Sequence, residues 1–364
     1  MVFFLLALTA ALAFANGAND NCKGVATLVA FGETSERKAL LWAALSTAAG
    51  SLVSMAWAGG LVAAFRAKFV NGGEGLTPIF FAAVLVGAVA WVLFATRAGL
   101  PVSTTHAITG GLLGAGLLAV GSAHIAWPDV ARRFALPLLL GPLVSLLAVF
   151  AVGKPLALRA ARQKDRCLCV TPHATVSSCG AMAAAQSLTL VTGSVSECEA
   201  AGAAPLVEGS RLLRTTHWGT SGLVGFARGW NDAPKISALA LIALPVHQTW
   251  IAFGLVTAAM AAGGLLQGRK VLETLARKIT PLPLAESLSA SGVSALLVGL
   301  ASWNGLPLST THVTTGGIVG AGLSRDARSV HWGVVRDIGL SWVVTLPAAA
   351  LVAALAYLLL ARFS

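Results

Sequence analysis

The sequence predicts an all-α integral membrane protein made of two inverted-topology repeats of about five helical segments each. Each half is expected to contain a broken helix or re-entrant hairpin. Hydrophobic residues make up 56% of the 364 residues and charged residues 11%, whereas soluble domains carry about 25% charged residues. Apolar runs long enough to cross ~30 Å of hydrocarbon recur along the chain, and two motifs occur twice in the same order.

The predicted helical segments are apolar runs rich in Gly, Ala, Leu and Val. Helices are expected because they satisfy every backbone hydrogen bond within the segment. The first run continues into Asn16–Asp20 without a basic start, so we assign it to the mature fold and not to a signal peptide. The runs cover residues 1–31, 39–65, 78–96, 102–121 and 131–153, then 212–244, 247–268, 284–302, 307–323 and 335–361.

Two pairs of motifs relate the halves. Arg97–Gly116 and Trp303–Gly322 are identical at thirteen of twenty positions, at an offset of 206 residues. Gly17–Lys23 matches Gly229–Lys235 at an offset of 212. Two matches in the same order at nearly equal offsets indicate a duplication. We therefore divide the chain into a first transmembrane repeat (1–158), a linker or insert (159–211) and a second transmembrane repeat (212–364).

The basic residues between the apolar runs predict the orientation. With both termini outside, sixteen Lys and Arg residues fall inside and five outside, as the positive-inside rule requires. An odd number of crossings per half then inverts the second half, an arrangement typical of secondary transporters. The net charge of +11 is explained by these topology signals, so we expect no nucleic-acid partner. The predicted location is the cytoplasmic membrane.

The stretch 159–211 is rich in small and polar residues and has no apolar run of spanning length. It is predicted to be a cytoplasmic linker or small insert. Four of the five cysteines lie here, at positions 167, 169, 179 and 198. They form no recognisable disulfide framework, and Cys167-Leu-Cys169 alone is a weak zinc signature. We expect free thiols.

The first candidate site motif is Asn19-Asp20 with Lys23, repeated as Asn231-Asp232 with Lys235. A charged side chain inside a membrane helix costs about 2.5–3.5 kcal/mol on insertion scales, and the i,i+3 spacing lets the two charges pair. A structural ion pair is one explanation. Repetition in both halves favours a functional site in which the oxygens bind sodium or a carboxylate carries a proton. The two lysines suit an anion. We expect no metal other than sodium and no other cofactor.

The second motif is Ser103-Thr104-Thr105-His106, repeated as Ser309-Thr310-Thr311-His312. Each follows Gly-Leu-Pro, and a proline disfavours helix in the residue before it. The serine is then expected to cap a helix whose N-terminus favours an anion. Three hydroxyls beside that terminus can surround a tetrahedral oxyanion, and the glycines that follow permit close packing. Broken helices at matching positions indicate a transport site.

Four further polar residues are weaker candidates. His106 and His312 could bond a neighbouring carbonyl, titrate or contact substrate. Arg228 and Glu286 do not recur in the first half. The position equivalent to Arg228 is Asn16. We expect Arg228 and Glu286 to lie near a helix end and not in the site.

The paired motifs resemble those of the inorganic phosphate transporter (PiT) family, which carries a Gly-Ala-Asn-Asp segment and a Ser/Thr-Thr-His, Gly-rich segment in each half. The resemblance covers nearly the whole chain outside 159–211. It implies a phosphate:cation symporter with two helical hairpins meeting near the membrane midplane. It also implies that Asn19, Asp20, Asn231 and Asp232 couple the cation, and that Ser103, Thr104, Thr105, Ser309, Thr310 and Thr311 hold phosphate.

The sequence departs from this family at two positions. Many members read Asn-Asp-Val-Ala-Asn, whereas here the last position is Lys23. An ammonium there could replace a bound sodium, so we hypothesise that one sodium site is lost or that protons are the coupling ion. Trp230 replaces the alanine of the second motif and is expected to narrow the site.

Other functions stay open on the sequence. A permease for sulfate or another tetrahedral oxyanion would use the same scaffold, although carboxylates near the anion favour phosphate, which carries its own proton. An anion channel is disfavoured by acidic residues among the anion ligands. No nucleophile elbow, P-loop or metal motif points to an enzyme. The expected partners are phosphate, sodium or protons, and lipid, and the oligomer considered is a homodimer.

Overall fold

The structure is a computed structural model that describes residues 1–57, 59–66, 69–70, 76–174 and 186–363. Most of these residues are helical. In the first half the helices are α1 (Val2–Asp20), α2 (Ala26–Phe31), α3 (Glu36–Trp57), α4 (Gly59–Phe65), α5 (Pro78–Arg97), α6 (Thr104–Ala119), α7 (Trp127–Val130) and α8 (Leu136–Lys164). In the second half they are α10 (Gly209–Ala240), α11 (Thr249–Gln267), α12 (Arg269–Glu273), α13 (Leu284–Trp303), α14 (Thr310–Arg325) and α15 (Trp332–Leu360).

Seven helical stretches of the described chain are long and apolar enough to cross a membrane. The ten predicted segments include three that do not meet this standard. Helices α6 and α14 have 16 residues each, fewer than the roughly 20 needed to span. Helix α10 has 32 residues but carries five charged residues, at positions 211, 214, 228, 232 and 235. The seven stretches are Val2–Gly24, Glu36–Trp57, Pro78–Arg97, Trp127–Lys164, Thr249–Gln267, Leu284–Trp303 and Trp332–Leu360.

Each half contains a helical hairpin in which a long helix packs against a short one, α5 on α6 and α13 on α14. Two residues after the first helix of each hairpin lies a glycine with positive φ, Gly99 (71°) or Gly305 (66°). The next residue's N–H donates back to the carbonyl of Ala95 (2.9 Å) or Ala301 (2.9 Å). This is a helix C-terminus that glycine permits at little steric cost. The broken helices expected from Gly-Leu-Pro therefore have a local cause in both halves.

Helices of one half pack against helices of the other half in equivalent pairs. Helix α1 packs on α11 while α10 packs on α3, and α6 packs on α15 while α14 packs on α8. Each pair takes one helix from each half. The repeat relates the pair α1–α11 to the pair α10–α3, and the pair α6–α15 to the pair α14–α8. A two-fold relation between the halves accounts for this pattern. The opposite membrane orientation of the halves stays a prediction.

Glycine allows these helices to touch backbone to backbone. A Cβ atom on Gly17 would lie 1.9 Å from the carbonyl oxygen of Met260, and one on the equivalent Gly229 would lie 2.1 Å from that of Thr47. On the Gly-rich helices, Gly110 and Gly316 each approach a carbonyl of the facing helix so closely that a Cβ would lie 2.3 Å from it. The predicted close packing of the Gly-rich segments is present here.

The insert corrects two expectations. It contains a small antiparallel sheet, in the order β2-β1-β3, which was not expected in an otherwise helical chain. Cys169 and Cys198 form a disulfide, so the expected free thiols are wrong at these two positions. Cys167 is a free thiol, and Cys179 lies outside the described residues. The elements are β1 (Arg166–Ala174), β2 (Gln186–Ser194), α9 (Val195–Ala200) and β3 (Ala204–Glu208).

Candidate functional site

Two lysine ammonium groups form the centre of the candidate site, and each is enclosed by oxygen atoms. Lys23 Nζ donates to Asn19 Oδ1 (3.3 Å), to the backbone carbonyl of Val102 (3.1 Å), and through two very short contacts to Asp20 Oδ1 and Thr311 Oγ1. The side chain of Lys23 is fully buried. The predicted pairing of Asp20 with Lys23 is therefore present, and an amide, a carbonyl and a hydroxyl complete the set of acceptors.

The second ammonium has equivalent partners. Lys235 Nζ donates to Asp232 Oδ1 (3.1 Å), to Thr105 Oγ1 (2.9 Å), to the carbonyl of Leu308 (3.0 Å) and, through a very short contact, to Asn231 Oδ1. Every acceptor is the repeat counterpart of one around Lys23. Both sets cross between the halves, because Lys23 reaches the second Ser-Thr-Thr motif and Lys235 reaches the first.

The asparagines fix the carboxylate-bearing helices to the hairpins. Asn19 Nδ2 donates to Thr96 Oγ1 (3.0 Å) at the end of α5 and to the carbonyl of Leu100 (2.9 Å), while its Oδ1 accepts from the N–H of Val102 (3.0 Å). In the second half Asn231 Nδ2 donates to Ser302 Oγ (2.9 Å) at the end of α13. These amides hold the broken-helix segments against α1 and α10.

Arg228 corrects the sequence prediction. It does not lie near a helix end but within α10, and it is completely buried. Its guanidinium donates to the amide oxygens of Asn16 and Asn21 and to Thr47 Oγ1 (3.2 Å), and its Nε lies 3.5 Å from Asp232 Oδ2. The signal was present in the sequence, since Asn16 and Arg228 are repeat counterparts.

Asn16 connects the two carboxylates. Its Nδ2 lies 2.9 Å from Asp20 Oδ2, 3.4 Å from Asp232 Oδ2 and 3.0 Å from Thr104 Oγ1. Thr104 in turn lies 3.4 Å from Asp20 Oδ2. The acidic groups of both halves and the start of α6 thus belong to one hydrogen-bonded network.

The two Ser-Thr-Thr motifs are helix starts, as predicted. Ser103 Oγ accepts from the N–H of His106 (3.3 Å), and Ser309 Oγ accepts from the N–H of His312 (3.3 Å). The first N–H groups of such helices have no carbonyl partner within the helix and favour an anion. The two helix starts lie close together, since Thr311 Oγ1 donates to the carbonyl of Val102 (2.7 Å). All six hydroxyl residues are buried: Ser103, Thr104, Thr105, Ser309, Thr310 and Thr311.

The site carries an excess of positive charge. Two carboxylates, Asp20 and Asp232, face three cations, Lys23, Lys235 and Arg228, and all five side chains are buried. The formal sum of the ionised groups is therefore +1. An uncompensated buried charge is strongly unfavourable. A bound monoanion would neutralise this cluster.

The two histidines lie side by side, with ring centroids 4.7 Å apart, and His312 also lies 3.9 Å from the ring of Trp342. Neither Nδ1 atom has a hydrogen-bond partner among the described residues. Both rings border a cavity of about 400 Å³ whose lining is mostly apolar, including Phe134. Neither imidazole is among the hydrogen-bond partners of Lys23 or Lys235 given above. Glu286 is in the first turn of α13, near a helix end as expected.

Comparison with known sequences places the chain in a family. The sequence profile described as "Phosphate transporter family" matches residues 16–353. The chain belongs to the phosphate transporter family. Its relatives include a probable low-affinity inorganic phosphate transporter of Mycobacterium tuberculosis, 29% identical over 98% of this chain and 77% of that protein. A putative phosphate permease of Pyrococcus furiosus is 28% identical over 95% of this chain and 93% of that protein.

A solved structure described as the sodium-dependent phosphate transporter has the same fold. It is 24% identical, has a TM-score of 0.77, and the alignment covers 100% of this chain and 99% of the other. Family membership and the seven long apolar helices make this chain a multi-pass membrane protein. The resemblance to the phosphate transporter family noted in the sequence is confirmed.

Proposed function

We propose that this protein carries inorganic phosphate across the cytoplasmic membrane by secondary active transport, with alternating access to a site between the halves. The observation that carries the proposal is the meeting of two capped helix starts, with six buried hydroxyl residues, beside a cluster of formal charge +1. Hydroxyls and helix N-termini are donors suited to a tetrahedral oxyanion. The described relatives in this family are named as phosphate transporters or permeases, which supports the same substrate.

The carboxylates of the site favour phosphate over sulfate. With both carboxylates ionised the cluster has a formal charge of +1, which dihydrogen phosphate would neutralise, and a proton on one carboxylate raises that charge to +2. Phosphate also has O–H groups that can donate, and the site offers carboxylate acceptors beside Thr104, namely Asp20 and, through Asn16, Asp232. Sulfate at neutral pH has no proton to give them. A carboxylate next to a bound oxyanion that cannot donate would be repulsive.

We further propose that the coupling ion is a proton and not sodium. Asn19, Asp20, Asn231 and Asp232 supply the oxygen ligands that sodium would use, but each set already surrounds an ammonium. A sodium ion about 4 Å from that ammonium would meet about 4 kcal/mol of repulsion at an effective dielectric constant of 20. A proton on Asp20 or Asp232 needs no additional ligand cage.

Lys23 and Lys235 have two roles in this proposal. They occupy the cation positions, and they contact Thr311 and Thr105 of the opposite halves. Phosphate binding at these hydroxyls would bring the anion next to both ammonium groups. The substrate would therefore join contacts that already cross between the halves, which couples its binding to their relative position.

The test is uptake of radiolabelled phosphate into proteoliposomes with sodium and proton gradients imposed separately. We expect an inward proton gradient to drive accumulation in choline buffer as well as in sodium buffer, and excess sulfate not to compete. Accumulation only with a sodium gradient would overturn the proton proposal and leave phosphate transport intact. Abolition by sulfate would instead assign the site to sulfate. Absence of phosphate uptake under every gradient would overturn the proposed function itself.

A further inference from the structure

A cluster of three cysteine sulfurs lies in the insert, away from the transport site. Cys167 and Cys169 are two positions apart on β1, so their side chains are on the same face of the sheet. Cys198 comes from α9, which packs on that face. The three Sγ atoms all lie within 4.8 Å of one another, and those of Cys167 and Cys169 are 2.7 Å apart. All three residues are buried.

These cysteines form most of the buried cluster among the described residues of the insert. The buried apolar cluster consists of Cys167, Cys169, Cys198 and Ala203, with Val195 packed against it. Large apolar side chains of the strands lie outside it, and Leu190 and Leu206 are 67% and 56% exposed. Domains of this size bury too little apolar surface to be stable without a cross-link such as a disulfide or a metal. The arrangement of the sulfurs indicates that they supply it.

We propose that Cys167, Cys169 and Cys198, in their reduced form, bind one thiophilic metal ion, with Zn²⁺ as the primary candidate and Cu⁺ as the same chemistry. Thiolate sulfur is the preferred ligand of both ions. Tetrahedral zinc with Zn–S distances of about 2.3 Å separates its sulfur ligands by about 3.8 Å. The present separations are within reach of that value by side-chain rotation. Three protein ligands leave a fourth position for water or another ligand.

The disulfide and the metal site are two states of the same sulfurs. A thiol reductant supplies two electrons and two protons to break the Cys169–Cys198 bond, which gives three thiols with Cys167. These thiols release three protons to water when the ion binds, because the thiolate is the ligand. Disulfides are rare in the cytoplasm, where cellular thiols keep cysteines reduced. The cytoplasmic side predicted for the insert would therefore favour the metal-bound state.

The test uses the full-length protein purified with a phosphine reductant. We expect about one zinc ion per chain by elemental analysis, and a sulfur-to-cobalt charge-transfer absorption when Co²⁺ replaces zinc. Substitution of any one cluster cysteine by serine should abolish that absorption and lower zinc retention at least tenfold. Cys179→Ser, in the same insert, is the matched control and should retain both properties. Displacement of zinc by one equivalent of Cu⁺ would identify Cu⁺ as the preferred ion of the same site.

Three results would overturn the proposal. The first is a fully reduced protein that binds neither zinc, Co²⁺ nor Cu⁺. The second is a Cys169–Cys198 disulfide that persists in the reductant, as shown by thiol counting and mass spectrometry. The third is equal loss of metal in Cys179→Ser, which would show that the three cysteines do not define the site. Circular dichroism of each variant separates loss of metal from loss of fold, and no outcome depends on transport activity.

Discussion

The two buried lysines are the central residues of the candidate site. Each ammonium has four oxygen acceptors, and each takes one of them from the opposite half. Lys23 therefore behaves as a cation that is covalently attached to the turn after α1 and cannot leave the site. Removing it should leave an oxygen set of amide, carboxylate, carbonyl and hydroxyl, which matches the ligand preference of a hard monovalent or divalent cation.

This reasoning predicts the behaviour of Lys23→Asn. The substitution leaves Asp20 without its ammonium partner, and we expect a sodium ion to take that position. Phosphate uptake should become sodium-dependent, with at least a tenfold stimulation by sodium over choline, whereas the wild type shows none. The measurement is uptake in proteoliposomes at fixed pH across a series of sodium concentrations.

Lys235→Asn is the matched variant in the other half and should gain its own sodium dependence, because its acceptors are equivalent. Lys38→Asn, on an exposed position of α3, controls for a change in net charge and should leave uptake sodium-independent. Uptake that survives Lys23→Asn without any response to sodium would contradict the idea that the ammonium occupies a cation position.

The residues also show how much of the site could be predicted. Asp20, Lys23 and the capping serines follow from repeated motifs whose local chemistry is fixed by spacing. The partners across the two-fold relation could not be predicted, because the bond from Lys23 to Thr311 depends on how the turn Asn21–Gly24 meets α14. Arg228 was misplaced for the same reason. Its partners Asn16 and Asn21 are about 200 residues away in the sequence.

At the scale of elements, the helix contacts depend on glycines that allow backbones to touch. In α11, Gly263 faces α1, and a Cβ there would lie 1.9 Å from the carbonyl oxygen of Phe14. At Gly254 in the same helix, such a Cβ would meet no atom outside its own stretch of helix within 4 Å. Alanine at Gly263 therefore tests the helix–helix contact, whereas alanine at Gly254 tests helix propensity alone.

We predict opposite effects for alanine at these two positions. Gly263→Ala forces α1 and α11 apart and should lower the free energy of unfolding by about 1–3 kcal/mol. Gly254→Ala should be neutral or raise it by up to about 1 kcal/mol, since alanine is the better helix former. Thermal unfolding in detergent, compared at one protein concentration, measures both. Equal effects at the two positions would contradict the close α1–α11 contact.

The elements also mark the limit of sequence reasoning. The hairpin turns at Gly99 and Gly305 follow from Gly-Leu-Pro, because glycine and proline restrict the backbone locally. The sheet of the insert was not predicted, because the buried cluster among its described residues is made mainly of cysteines. The end of α8 at Lys164 was also missed, because its last turns are basic and extend beyond the apolar run.

At the scale of the whole molecule, the reciprocal packing of helices has a consequence for transport. The pairs α1–α11 and α3–α10 contain contacts from both halves, as do α6–α15 and α8–α14. If the first half took the conformation of the second and the second that of the first, the helix pairs would make equivalent main-chain contacts. Alternating access between such arrangements requires that the halves cross the membrane in opposite directions, so the orientation of the chain is the property to establish.

We predict that the two termini lie on one side of the membrane and the insert on the other. A green fluorescent protein inserted after Gly202, in an exposed turn, should be fluorescent because it folds in the cytoplasm, whereas the same protein fused to the C-terminus should not. Alkaline phosphatase at the two positions should give the reverse activities. Fluorescence at both positions would require an even number of crossings in the second half. That result would exclude the inverted repeat, and with it the exchange of equivalent arrangements, while leaving the two lysine cages unchanged.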